Sequence, residues 1–265
     1  MGMTLRLKNP PVQEVGLDFQ FEPNPEKQPW CQSVAMSFLN RFQETFPICE
    51  VYQAEEIRIE KRTKEGIPKE LSGSTSLDHV RAHDEDETRW LHLGNDAMTY
   101  RLVRRGNDYP GFSALLEESL DKLTLYVEHF QPISVRQASL RYVDVVEIPI
   151  TPGSGILTED YFHLGLTLPD DPFGPLAGFA VRYGFPRAGG KDSTQLVFST
   201  EASSRDAVAS FRLQWYSICE ELDTLEPEVL KIRLGAAHEH LKKCFFASFT
   251  PQGLALFEPE EIVST

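Results

Sequence analysis

Apolar and polar residues alternate in "VGLDFQF", with Val15, Leu17, Phe19 and Phe21 set against Gly16, Asp18 and Gln20. A period of two predicts a strand with one buried face. The period then changes. In "PWCQSVAMSFLNRFQETFP", Trp30, Val34, Phe38, Phe42 and Phe46 recur at every fourth position, predicting an amphipathic helix bounded by Pro29 and Pro47. "EEIRIEKR" predicts a strand through Ile57 and Ile59. Thr63 to Thr88 is polar, holds Gly, Ser and Pro, and has little periodicity. It reads as a long insertion or loop with a short helix near "LDHVRAH". A hairpin follows, "RWLHL" and "AMTYRLV" joined at Gly94 to Asp96. A second helix, "YPGFSALLEESLDKLTLYVEHF", carries the stripe Phe112, Leu116, Leu120, Leu123, Val127 and Phe130.

The rest of the chain echoes this order. "SVRQASLRYVDVVEIPI" predicts a long strand stopped at Pro149, and "TEDYFHLGL" a short helix. Phe179, Val181, Tyr183 and Phe185 alternate in a strand, "AGGKD" turns it, and "TQLVFST" returns. "VASFRLQWYSI" is a further strand, and a helix from Glu226 to Ala247 presents Leu230, Leu234, Ala237, Leu241 and Cys244. Each half reads as strand, helix, three strands, helix. The expected fold is α+β: two similar halves, 1–132 and 133–265, each an antiparallel sheet with helices packed on one face. The two halves can stand apart or form one continuous domain.

Charge narrows the partners. Against 26 Lys and Arg stand 40 Asp and Glu, a net charge of −14. Phosphate neutralisation supplies most nucleic-acid affinity, so direct binding to DNA or RNA is not expected. A protein partner, basic or itself associated with nucleic acid, is. No run reaches the roughly 18 apolar residues of a membrane helix, and the first residues carry no signal-peptide core. The expectation is a cytoplasmic protein with no membrane partner. Its four cysteines form no CxxC pair and read as reduced thiols.

The candidate chemistry is sparse. There is no phosphate loop, no nucleophile elbow and no Gly fingerprint, so no cofactor and no catalytic residue are assigned. "HEHLKKCF" fails as H-E-x-x-H because position 242 is Lys. Cys244 falls on the buried stripe, His240 points outward, and His238 sits at the stripe edge, where it needs a hydrogen-bond partner. His79 and His83, four apart beside Asp78 and Asp84, are the better metal candidates, although an acidic loop is more simply a solvated loop. Arg141 and Asp144 interrupt the apolar strand "LRYVDVVEI". A buried Arg needs a carboxylate. The structural reading is a bond tying the halves; the functional one has Arg141 and Tyr142 meeting an anion or a peptide.

Three stretches, "NPPVQEVGLDFQFEP", "LRYVDVVEIP" and "HEHLKKCFFASFT", resemble in this order a family of uncharacterised, sporadically distributed bacterial proteins of about this length. The matching positions are Asn9, Pro10, Pro11 and Glu14, then Arg141, Tyr142 and Asp144, then His238, Glu239, Leu241, Phe245 and Thr250. The segment 63–88 departs from the pattern. The resemblance implies no reaction and no cofactor. Patchy occurrence implies accessory genes of phage-defence or toxin–antitoxin cassettes. The leading expectation is therefore a non-catalytic accessory protein that binds another macromolecule through Arg141, Tyr142, Asp144 or His238, with homo-oligomers allowed. The alternatives are a metal-dependent hydrolase using His79 and His83, and a small-ligand sensor with a pocket between the halves.

Overall fold

A computed structural model describes residues 3–27, 29–62, 68–106, 110–150, 156–164, 178–187, 191–203, 205 and 207–263. Nine strands form one antiparallel sheet in the order β3 (Ile48–Arg62), β4 (Pro68–His83), β5 (Arg89–Gly94), β6 (Ala97–Val103), β2 (Val12–Glu22), β7 (Ser134–Pro149), β10 (Val208–Thr224), β9 (Ser193–Glu201) and β8 (Ala180–Pro186). Strands that precede residue 133 fill one side and those that follow it fill the other. The α+β class therefore stands, but there is one sheet where two were expected. The join is β2 against β7, with Val15 opposite Tyr142, Leu17 opposite Leu140 and Phe19 opposite Ala138. Each of these strands would be the unpaired edge of a smaller sheet, and an exposed edge of free N–H and C=O groups is a liability that pairing removes.

The largest departure from expectation is β4. Pro68–His83 is a strand, not a loop with a helix. Residues 79–83 lie between β3 and β5, with Val80 and Ala82 buried, whereas residues 68–77 pair with β3 alone. A strand that borrows its backbone partners from a neighbour needs little apolar alternation of its own, so periodicity misses it.

Three helices cover one face of the sheet. The first, α1 (Gln32–Leu39), ends earlier than expected, passes into a 3-10 turn at Asn40–Phe42, and packs over β4. The second, α2 (Gly111–Phe130), lies over β2 and β6, and α3 (Pro227–Ala247) over β7 and β10; the two helices touch each other. The buried face of α2 keeps Leu116 and Leu123 of the predicted stripe and extends to four further positions. Leu115, Ser119, Lys122 and Tyr126 point inward, and the Lys122 ammonium sits 4.4 Å from the centre of the Tyr100 ring. Cation–π contact, together with a bond from Lys122 Nζ to the Glu118 carbonyl, makes a cation tolerable there. The predicted helix at "TEDYFHLGL" is only a 3-10 turn, Thr158–Asp160, before the described residues stop at 164. The "AGGKD" turn falls largely outside the described residues.

The chain ends meet. β1 (Met3–Leu7) pairs with β11 (Pro259–Val263) in a two-stranded ribbon, and α4 (Pro251–Ala255) precedes it. Thr250 Oγ1 caps α4 by accepting from Gly253 N at 3.1 Å. Gly253 is required there: a Cβ at this position would lie 2.1 Å from the Tyr161 carbonyl oxygen.

Candidate functional site: an apolar chamber under the last long helix

Side chains alternate across a strand, so neighbours on β7 face opposite ways. Arg141 points to the face that carries no helix among the described residues. There it forms an ion pair with Glu14 of β2, and Arg101 of β6 approaches the same carboxylate at 3.6 Å. Gly16 lies between the two guanidiniums; a side chain would meet Arg101 Cγ at 3.2 Å. The predicted Arg–carboxylate bond across the middle of the protein thus exists, with Glu14 as the partner. Tyr142 and Asp144, one and three positions from Arg141, are on the other side, so Arg141 and Tyr142 do not form one anion site. Beside this pair, burial and Arg101 push His92 down to about 3.

Tyr142 and Asp144 face the helices. With α3, the start of α2, β10 and residues 7–12, they line a cavity of about 790 Å³ that opens to solvent. The segment 7–12 is fixed by Val145 N donating to the Pro11 carbonyl at 3.0 Å and by Asn9 Nδ2 donating to Glu258 Oε1 at 3.1 Å. Its Leu7, Pro10, Pro11 and Val12 form an apolar wall. The helix α3 adds Leu241, Phe245 and Phe246, and α2 adds Phe112. At Gly235 the helix offers bare backbone, and a Cβ there would touch nothing within 4 Å. Glu239 and Lys242 place one charge of each sign on the lining.

His238 finds its partner here. Its Nδ1 is 2.9 Å from the Tyr142 hydroxyl, and its ring stacks on Phe112 with centroids 4.1 Å apart and planes 4° apart. Burial holds its pKa below the ordinary histidine value, against a smaller opposing pull from Glu239. The ring is therefore neutral and acts as a link between α3, β7 and α2.

Asp144 is in a different state. It is 2% exposed, Oδ1 has no hydrogen-bond partner, and burial alone pushes its pKa up to about 8. Trp215 of β10, directly across the pair from Tyr142, is 3% exposed, and its Nε1 also lacks a partner. Buried polar atoms are nearly always bonded, and each orphan costs roughly 1–3 kcal/mol. Both residues line the cavity, while these two atoms themselves are buried in its wall. In the sequence Trp215 is only a strand residue, because the register that sets it opposite Tyr142 leaves no signal along the chain.

The metal candidates do not converge. On a strand, positions four apart are separated by about 13 Å, too far to share an ion. His79 stacks on Tyr52 at 4.3 Å and bonds Asp78 at 2.7 Å; His83 is buried, stacks on Trp90 at 4.3 Å and bonds the Asp84 carbonyl. His240 and Cys244 do touch, at 3.5 Å, both half-buried on α3. Among the described residues no group of three or more His, Cys, Asp or Glu is placed to hold a metal. Nor is any helix among them long and apolar enough to cross a membrane.

The three stretches that carry the family resemblance meet at this chamber: Pro10 and Pro11 from the first, Tyr142 and Asp144 from the second, and His238, Glu239, Leu241 and Phe245 from the third. Comparison with protein-family models finds no match, and comparison with curated proteins finds none either.

Proposed function

We propose that the chamber binds a small, largely apolar molecule, and that the protein is a ligand-binding component without catalytic machinery of its own. One observation carries this reading: residues 7–12, β7, β10 and α3 together line a largely apolar cavity of about 790 Å³ with only a few polar side chains on it. That volume is within the usual range for small-molecule sites, roughly 300–1,000 Å³, where an apolar lining with a few fixed polar groups is the rule. Gly235 provides the test. Replacing it with Phe puts a ring into open space and adds helix propensity, so the Gly235→Phe chain stays folded with its cavity plugged. The neutral reporter N-phenyl-1-naphthylamine, which brightens on leaving water, is expected to saturate the natural chain at one equivalent and to lose that signal in the plugged one. Equal binding to both chains would refute the assignment.

A role as a protein-binding accessory in a phage-defence or toxin–antitoxin cassette is the wider setting we propose. It rests on the resemblance and on the breadth of the sheet face that carries no helix among the described residues. A partner bound there leaves reporter binding in the chamber unchanged. We also read the strand order, mirrored about β2 and β7, as two equivalent halves.

A further inference from the structure

We propose that the ligand of this chamber is an amphiphile with a single carboxylate, as in a fatty acid, whose apolar body fills the cavity and whose head pairs with Lys242 at its open side. This rests on the chamber being a binding site. Along α3, Leu241 is 2% exposed and lies innermost, Lys242 is half-buried, and Glu239 is exposed. A half-buried lysine lays its four-carbon stem along an apolar wall and carries its ammonium to the water side. Lys242 thus offers apolar surface to a ligand's body and a charge to its end. That charge is unspent. Glu239, three positions back, is turned to His238 Nε2 at 4.0 Å, and among the described residues Lys242 forms no ion pair. Lys8, between the lining residues Leu7 and Pro10, is taken by Glu258 at 3.9 Å and Glu260 at 3.3 Å. The lining residues Phe112 and Ser113 belong to the first turn of α2, which holds no acidic residue and no capping side chain, so the partial charge there is positive as well. One ammonium suits one negative charge; a phosphate dianion calls for more cations, or for the guanidinium fork that this lining lacks. With −14 on the whole chain, a preference for an anion has to arise at this cavity and not from the general field.

The class is tested by displacing N-phenyl-1-naphthylamine with four molecules of one chain length, each below its micellar concentration: decanoate, decanol, decylamine and decyl phosphate. Decanoate is expected to displace the reporter about fivefold better than decanol, the worth of one half-exposed charge pair. The reporter is neutral, so Lys242→Gln still binds it, which shows that the variant is folded with its chamber intact. In that variant decanoate falls to the level of decanol. Lys242→Met, which keeps the length of the stem without the charge, gives the same result. Glu239→Gln leaves decanoate in the lead. Decanoate no better than decanol on the natural chain overturns the carboxylate assignment and leaves the chamber standing. So does a lead that survives in Lys242→Gln and Lys242→Met, or one that vanishes in Glu239→Gln. Displacement led by decylamine or by decyl phosphate overturns it too. If the reporter itself binds the Gly235→Phe chain unchanged, the chamber reading fails and the carboxylate inference falls with it.

Discussion

Glu14 and Asp144 are carboxylates on adjacent middle strands, and the sheet separates them. Glu14 lies on the helix-free face, where Arg141 pairs with it and Arg101 comes within 3.6 Å. Asp144 lies beneath α3 in an apolar wall, with no cation beside it and one oxygen unbonded. Two adjacent strands thus carry one carboxylate to each face of the sheet, and the two faces treat it differently. A carboxylate with matched charges is a structural tie between strands far apart in sequence. A carboxylate with none is a cost to the fold, and its pKa rises until it holds a proton instead of a charge.

The comparison can be broken from the Glu14 side first. Glu14→Ala leaves two guanidiniums half-buried with no carboxylate between them, and is expected to lower unfolding stability by about 3 kcal/mol. Urea denaturation measures this, and a loss below about 1 kcal/mol means the pair is not the tie described. From the Asp144 side the sign reverses with pH. The unfolded residue gives up its proton near pH 4, the folded one near 8, so between them the native state holds the extra proton. Stability through Asp144 is complete below about pH 4 and is lost as pH rises to 8. Asp144→Asn is therefore expected to gain about 2 kcal/mol over the natural chain on going from pH 5 to pH 6.5. Parallel pH profiles for the two chains would show that Asp144 ionises normally.

Smaller effects sharpen the same contrast. His238→Ala removes the Phe112 stack and the Tyr142 bond, and is expected to cost about 1.5 kcal/mol and weaken reporter binding only as the wall loosens. An unchanged midpoint with reporter binding abolished would instead make His238 a ligand contact. Least of all, His79→Ala on the helix-free face should cost about 0.5 kcal/mol, the worth of one half-exposed stack, and leave the metal content of the purified protein unchanged. Stoichiometric zinc lost in that variant would restore the metal reading.

Much of this architecture is written locally. Period-two runs locate β2, β5, β6, β7, β9 and β10, and period-four runs locate α1, α2 and α3, because each element buries one face and its own residues must supply that face. The need for a partner at Arg141 and at His238 is also legible, since neither group is easily buried alone. Alternation along β7 even separates Arg141 from Asp144, three positions apart. Long-range pairing is not legible. That β2 closes on β7 into one sheet, that Glu14 rather than Asp144 receives Arg141, and that a polar run becomes β4 all depend on backbone groups that every residue carries alike. The chamber depends on the same pairing. Residues 7–12, Tyr142, Trp215 and Gly235 hold no common signal along the chain, and only the packing of α3 across the joined sheet brings them around one cavity.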